Sequence, residues 1–425
     1  MHERTKRLIQ SLRRDGPLIF LDSQSSDHPA SQKSYIASSP DSYIEAYGDR
    51  IIIRQPDGRI VESKGNPWEA LKRFRKTYPG WHFGWFGYDL KNYTENLRSC
   101  NPDLIGLPDL FFIRPGNLFE IDPVSNHLQE ILGGVSKITD EGLDEGPAMV
   151  SNLISSVAMT DYLEVVRQAK RLIKEGDFYE INLSHQLTAE YSGDSLNLYD
   201  QMRQRGPVPF GAYIHRKDAE ICCASPERFL RKEGNCLTSE PIKGTIRRGI
   251  NEAEDSFLKN ELRNSAKNKA ENLMIVDLVR NDLSRIARQG SVSVEKLFEL
   301  QTFSTLHQMV STITAEIEAG TDPIDAIQAC FPMGSMTGAP KIKSMEHIEN
   351  LESYNRGLYS GGIGYFTPND DFDFNVVIRT AIVKDSKLYY SIGGAITADS
   401  DPQDEWQETW VKARALTDVP IMNQE

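Results

Sequence analysis

Apolar and polar positions change rhythm along the chain, and the rhythm separates strands from helices. Up to about residue 150, short apolar runs broken by Gly and Pro turns predict antiparallel strands, among them Ile51–Arg54, Trp85–Tyr88 and Leu110–Ile113. The stretch Leu132–Met149 has little apolar periodicity and is rich in Gly, Asp and Glu, which predicts a connection. Beyond it, Leu163, Val166, Ala169, Leu172 and Ile173 recur at helical spacing, with Asp161 and Glu164 suited to a capping box and Gly176 to a stop. The next segment, Phe178–Ser184, alternates as a strand, so Glu180, Asn182 and Ser184 share one face. A polar row on an apolar strand is either the wall of a wet cavity or an exposed edge.

Lys267–Ala287 predicts a second helix whose apolar residues surround most of its axis, as in a buried helix. It carries Glu271, Asp277, Arg280 and Asp282, and buried charge must be paired or used. Asp277 and Arg280, three apart, can satisfy each other. Gly-rich strands at Tyr359–Phe366, Asn375–Val383 and Leu388–Ile392 then alternate with short helices, and a last helix runs from about Asp404 to Leu416. Neither a fixed-period repeat nor a regular βαβ rhythm is present, so the fold class is α+β with large, mainly antiparallel sheets. The chain divides into an N-terminal region, 1–150, and a second region, 158–425.

Composition narrows the function. With 39% hydrophobic and 26% charged residues in 425, the chain has the make-up of an ordinary globular protein. Its net charge of −13, spread along the sequence, argues against a nucleic-acid partner. No apolar run approaches the roughly 20 residues that span a bilayer, and the charged start lacks a signal-peptide core, so no membrane partner and a cytoplasmic location are expected. The five cysteines form no CxxC pair and suit reduced, structural thiols.

Five segments stand out: ASPERFL at 224–230, EPIKGTIRRG at 240–249, KAENLMIVDLVRNDL at 269–283, FPMGSMTGAPK at 331–341 and GGAITADSDPQDEWQET at 393–409. GSMTGAPK fails the phosphate-loop pattern, because Pro340 precedes the Lys and no Ser or Thr follows it. On the last helix Glu405, Glu408 and Lys412 share one face, which by itself reads as a solvated surface relieved by the Lys. With Glu271 on a second helix, a better account is a divalent cation held between the two helices. Mg²⁺ suits oxygen donors and few protein contacts.

Together these segments resemble the chorismate-utilising family, over roughly residues 158–420 and more loosely in the N-terminal part, where GWFGYDL also fits. The resemblance implies an α+β assembly of two large sheets wrapped by helices. It implies that the carboxylates matching Glu271 and Glu408, with Glu405 beside them, bind Mg²⁺, which grips the ring carboxylate of chorismate. It also places Tyr365, Arg379, Thr245, Thr337, Lys412 and the turn Gly393-Gly394 around the substrate. Arg379 would offer a rigid fork for the enolpyruvyl carboxylate. The segment FLDSQSSDHPASQKSY lies where members bind tryptophan, but the usual LLES is FLDS here, so feedback inhibition is not expected.

Two positions bear on the reaction. Where the anthranilate branch has PIAGT, this chain has PIKGT, and Lys243 resembles the nucleophile of the aminodeoxychorismate branch. That residue attacks ring C2 as the C4 hydroxyl leaves, and ammonia then displaces it at C4. Glu180 stands where isochorismate and salicylate synthases have a water-activating Lys and the amine-forming branches usually have Gln. Glu227, in the SPE match, resembles the general acid that protonates the departing hydroxyl, which requires a raised pKa. Lys243 faces the opposite demand, since at an ordinary pKa only about 1 in 2,500 amines is neutral at pH 7, a penalty of about 4.6 kcal/mol. Burial, Arg247, Arg248 and the metal are expected to lower it. None of the cysteine contexts, RSCNP, ICCAS, GNCLT and QACFP, is a glutaminase nucleophile turn, so ammonia should come from a separate glutamine amidotransferase subunit. The expectation is a synthase subunit making 4-amino-4-deoxychorismate for p-aminobenzoate and folate. The alternatives are an anthranilate synthase large subunit and a catalytically silent binder of aromatic metabolites that regulates its partner.

Overall fold

Alternate residues of most strands face different cores. In Leu18–Asp22, Leu18 and Phe20 pack with residues of the helices Glu3–Leu12 and Ser195–Arg205, whereas Ile19 points the other way. In Leu110–Arg114, Leu110 and Phe112 meet the helices Pro67–Thr77 and Pro323–Cys330, while Phe111 and Ile113 join Ile19 in a core shared by two sheets. These strands read as continuous apolar runs because both of their faces are buried. Each fully buried Leu or Phe contributes roughly 1.5–3 kcal/mol.

The computed structural model describes residues 1–24, 33–134, 146–303 and 306–416. They form an 11-stranded and a 12-stranded antiparallel sheet with helices on the outer faces, an α+β architecture. Leu18–Asp22 pairs with Phe210–His215, and His82–Phe86 pairs with Gly362–Phe366, so residues on both sides of position 150 share both sheets. Most of the expected connection Leu132–Met149, and residues 25–32 of the FLDS segment, lie outside the described residues. No helix among the described residues is long and apolar enough to cross a membrane.

Several local expectations change. The first long helix runs Met159–Glu175 with Ala158 as N-cap and no side-chain cap bond, so the capping box does not form. Glu164 instead pairs with Arg167 and Arg171. Gly176, at φ 90°, does end the helix. The helix Ala266–Ser284 is buried on one face only, through Asn272, Ile275, Val276, Val279, Asp282 and Leu283. Asp277 and Arg280 pair at 2.7 Å on its exposed side, whereas Asp282 is buried against Lys341 at 2.6 Å. The segment Asn375–Val383 is not one strand: Phe372–Asn375 belongs to the larger sheet and Thr380–Lys384 to the smaller, with Arg379 in the crossing at φ 50°.

Candidate active site

The strand Glu180–Ser192 lies inside the 11-stranded sheet, pairing with Lys387–Ile396 along its length and with Gly338-Ala339 at its start. Its polar row is therefore interior. At the start of the strand the chains come unusually close: a Cβ on Gly338, at φ 144°, would stand 2.2 Å from the Glu180 carbonyl oxygen, so only glycine fits there. This fixes Glu180, whose side chain is 1% exposed, and its Oε1 accepts a hydrogen bond from Lys243 Nζ at 2.7 Å. Lys243 belongs to the strand Ile242–Arg247 of the other sheet, where a bulge and Gly244 at φ 89° interrupt the ladder. The pair therefore bridges the two sheets.

Glu227 and Arg379 both sit where the chain passes from one sheet to the other. Glu227 follows Glu220–Ser225 and precedes Arg228–Glu233, and the Ala224 N–H donates to the Arg379 carbonyl, which holds the two crossings together. Ser335 Oγ donates to Glu227 Oε1 at 2.7 Å. Burial pushes the Glu227 carboxyl up to about 7, against the opposing pull of Ser335, Lys243, the Ile242 N–H and Arg379. Arg379 makes no ion pair among the described residues, and burial disfavours its charge while Tyr390 and Glu227 favour it.

A second acidic cluster faces Lys243 from the two helices. Glu405 Oε1 accepts from Ser400 Oγ at 2.6 Å, and a Cβ on Gly394 would meet Glu405 Oε2 at 3.2 Å and Glu408 Oε1 at 3.9 Å. The glycine keeps this space open. Glu408 pairs with Lys412 at 2.9 Å, and Lys412 also donates to the Gly393 carbonyl at 2.7 Å. Burial raises Glu271, countered by Lys243 and reinforced by Glu180 and Glu408. Burial also raises Glu405, whereas the Glu408 side chain, more than half exposed, is held low by Lys412 against partial desolvation. Three carboxylates that raise or repel one another around an open space are hard oxygen donors suited to Mg²⁺. Among the described residues no group of three or more acidic, His or Cys side chains is gathered closely enough to hold a metal ion by itself, so any cation here would rest on few protein contacts.

A model of the chorismate binding enzyme family matches residues 17–418. The chain belongs to that family. It is 38% identical to the chloroplastic aminodeoxychorismate synthase of Arabidopsis thaliana over 79% of this chain and 40% of that protein. It is 31% identical to anthranilate synthase component 1 of Acetivibrio thermocellus over 94% of this chain and 89% of that one. Among solved structures, anthranilate synthase component I from Streptococcus pneumoniae matches with a TM-score of 0.79 and 27% identity, over 92% of this chain and 93% of that one. The chain thus spans well under half the length of the plant relative. Its relatives carry the names of two different reactions.

Within this chorismate-binding enzyme, the residues named from sequence are only partly gathered. Lys243 lies within electrostatic reach of Glu227, Glu271 and Glu408, and Glu227 also within reach of Arg379; Gly393, Gly394, Glu405 and Lys412 adjoin Glu408. Thr245 is exposed two residues along the Lys243 strand. Thr337 is fully buried: its carbonyl accepts from the Asn182 N–H at 2.8 Å, and its hydroxyl is spent on Gly334 and Met333 carbonyls.

Tyr365 is elsewhere, its ring 5.1 Å from Tyr35 and 5.8 Å from Phe83, lining a separate cavity of about 100 Å³ with Asp22, Phe210 and Arg228. The strand Gly362–Phe366 alternates, and position 365 falls on the face turned to the core between the sheets. Tyr359, not singled out from sequence, is buried nearer the site: it and Arg379 both act on the Tyr390 hydroxyl. Arg247 and Arg248 do not face Lys243, because they pair with Glu254 at 2.5 Å and Asp255 at 2.7 Å. Lys243 is not lowered either. Burial pulls its pKa down, but Glu180, Glu271 and Glu227 outweigh burial and raise it. Sequence also gave no sign that Ser335, inside GSMTGAPK, would hold Glu227.

Proposed function

We propose that the chain is the chorismate-converting subunit of an aminodeoxychorismate synthase, with Lys243 as nucleophile and Glu227 as general acid. The observation that carries this reading is a lysine held inside a ring of carboxylates, beside a buried Glu whose carboxyl stays protonated to about pH 7. A lysine in that setting serves no fold purpose that a neutral side chain could not serve more cheaply. Its amine forms a bond to ring C2, the two ring double bonds each move one place, and the C4–O bond breaks. Glu227 gives its proton to the departing hydroxyl, which leaves as water. Ammonia then bonds to C4, the double bonds return, and the C2–N bond to Lys243 breaks. Arg379, partly buried and without an ion pair among the described residues, receives the enolpyruvyl carboxylate. Glu271 and Glu408, with Glu405 behind them, would hold Mg²⁺, whose charge would bind the ring carboxylate.

Ammonia is supplied by a separate glutamine amidotransferase subunit, consistent with the cysteine contexts and with the component 1 name of the Acetivibrio relative. The anthranilate reading is favoured only by relatives of that name, and Lys243 stands against it, since PIAGT is the pattern of that branch. The test is the product formed from purified protein, chorismate, Mg²⁺ and ammonium. A product of aminodeoxychorismate mass that an added aminodeoxychorismate lyase converts to p-aminobenzoate supports the proposal. Anthranilate, or an isomer that the lyase leaves untouched, overturns it.

A further inference from the structure

A nucleophilic lysine must lose a proton before it attacks and regain one when it leaves, and the site offers Lys243 a single acceptor. Among the described residues, Lys243 Nζ hydrogen-bonds only to Glu180 Oε1, at 2.7 Å. Glu271 from the helix Ala266–Ser284, Glu227 from the sheet crossing and Glu408 from the last helix also act on Lys243, but through space, without a hydrogen bond. The Gly338-Ala339 pairing fixes the Glu180 backbone from behind, and its side chain, 1% exposed, is enclosed against Lys243. Its second oxygen, Oε2, is buried with no hydrogen-bond partner among the described residues. An ion pair meant only to hold the fold would have that oxygen satisfied.

We infer that Glu180 is a catalytic residue, the base and then the acid that moves one proton off and back onto Lys243 Nζ. This rests on the reading of Lys243 as nucleophile. In the first half of the reaction the Nζ–H bond breaks and a Glu180 O–H bond forms, so that a neutral amine attacks C2. The carboxyl is left neutral. In the second half ammonia takes C4, the amine leaves C2, and Glu180 returns its proton to give the ammonium–carboxylate pair again. No proton enters from solvent at this position, and the resting pair has the same proton count as the reactive one. The enzyme therefore need not wait for the small neutral fraction of a lysine whose charge its neighbours favour.

The experiment is rapid-quench intact-mass analysis of the Lys243 adduct formed with chorismate and Mg²⁺, without ammonium, as a function of pH. In the native protein the rate should be flat from about pH 5.5 to about 7, because the proton moves inside the pair. In Glu180→Gln, which is isosteric, the amine must lose its proton to solvent. Adduct formation should then slow on the order of 10²-fold at neutral pH and climb about tenfold per pH unit over the same range. Glu180→Asp, which keeps a base at longer reach, should restore the flat profile at an intermediate rate, and it decides the matter if the Gln variant fails to fold. An adduct formed by Glu180→Gln at the native rate with the native profile overturns this inference and leaves Lys243 as nucleophile intact. Turnover to aminodeoxychorismate with no adduct in the native protein at any quench time overturns the Lys243 reading, and this inference with it.

Discussion

Arg356 pairs with Glu352 at 2.6 Å and Lys243 with Glu180 at 2.7 Å; both pairs involve the strand Glu180–Ser192, the first fully buried and the second partly so. Around Arg356 every group is used: its guanidinium also donates to the Met336 and Asn182 carbonyls, each at 2.8 Å, and to Ser360 Oγ at 3.2 Å. Glu352 Oε1 also accepts from the Ser184 N–H and hydroxyl at 2.8 and 2.7 Å. Lys243 has one acceptor, and Glu180 keeps an oxygen with none. A saturated pair ties a strand to a helix end and has no capacity left for a ligand. An unsaturated pair next to an unpaired Arg and three carboxylates is tied down just enough to be aimed.

The contrast breaks most easily on the metal. Chelation of Mg²⁺ should abolish turnover, and Glu271→Ala and Glu408→Ala should do the same while leaving the thermal melt close to native. Full activity in excess chelator would remove the cation from the site. Next in size, Lys243→Ala should lower aminodeoxychorismate formation on the order of 10³-fold or more. It should also shift some product toward direct ammonia attack at C2, seen by mass and lyase conversion. A native rate of aminodeoxychorismate formation in this variant would make Lys243 a charge partner only.

Arg356→Met should behave in the opposite way, costing about 3–5 kcal/mol of stability by leaving Glu352 buried and unpaired, read from the urea midpoint. A midpoint unchanged from native would erase the distinction between the two pairs. The smallest effect expected is at Glu227. Its folded pKa, about 7, lies above the ordinary 4.5, so the folded state holds the extra proton between those values. Stability from this group falls as pH rises from 4.5 to 7 and stays lost above, and Glu227→Gln should therefore be more stable than native at pH 8, by up to about 3 kcal/mol. The same variant should turn over on the order of 10²-fold slower, while the native rate falls about tenfold per unit above pH 7. Equal stability of the two proteins at pH 5 and pH 8 would place an ordinary, ionised carboxylate there.

The sequence by itself determined most of the elements and named the candidate chemical groups. Apolar runs broken by Gly and Pro turns gave most of the strands and alternation the start of Glu180–Ser192, helical spacing gave Met159–Glu175 and Pro402–Ala413, and the short segments around Glu227, Lys243, Glu271 and Glu408 gave the candidate chemical groups, because these signals are local. Partners were not local. Lys243 and Glu180 are 63 residues apart, and Asp282 and Lys341 59 apart, so each pairing existed only once two sheets and a helix had packed. The fold also overruled local reading where the chain changes sheet. Apolar continuity through Val376 and Ile378 looks like one strand, but the turn at Arg379 sends the two halves to different sheets and leaves the guanidinium at the crossing. Tyr365 failed for a related reason: strand side chains alternate between faces, and which face meets the site is set by the partner strand, not by the residue. Tertiary structure alone decided that Arg247 and Arg248 turn away, that Glu180 takes the amine, and that the lysine rests charged, because a pKa belongs to the groups around a side chain and not to the sequence beside it.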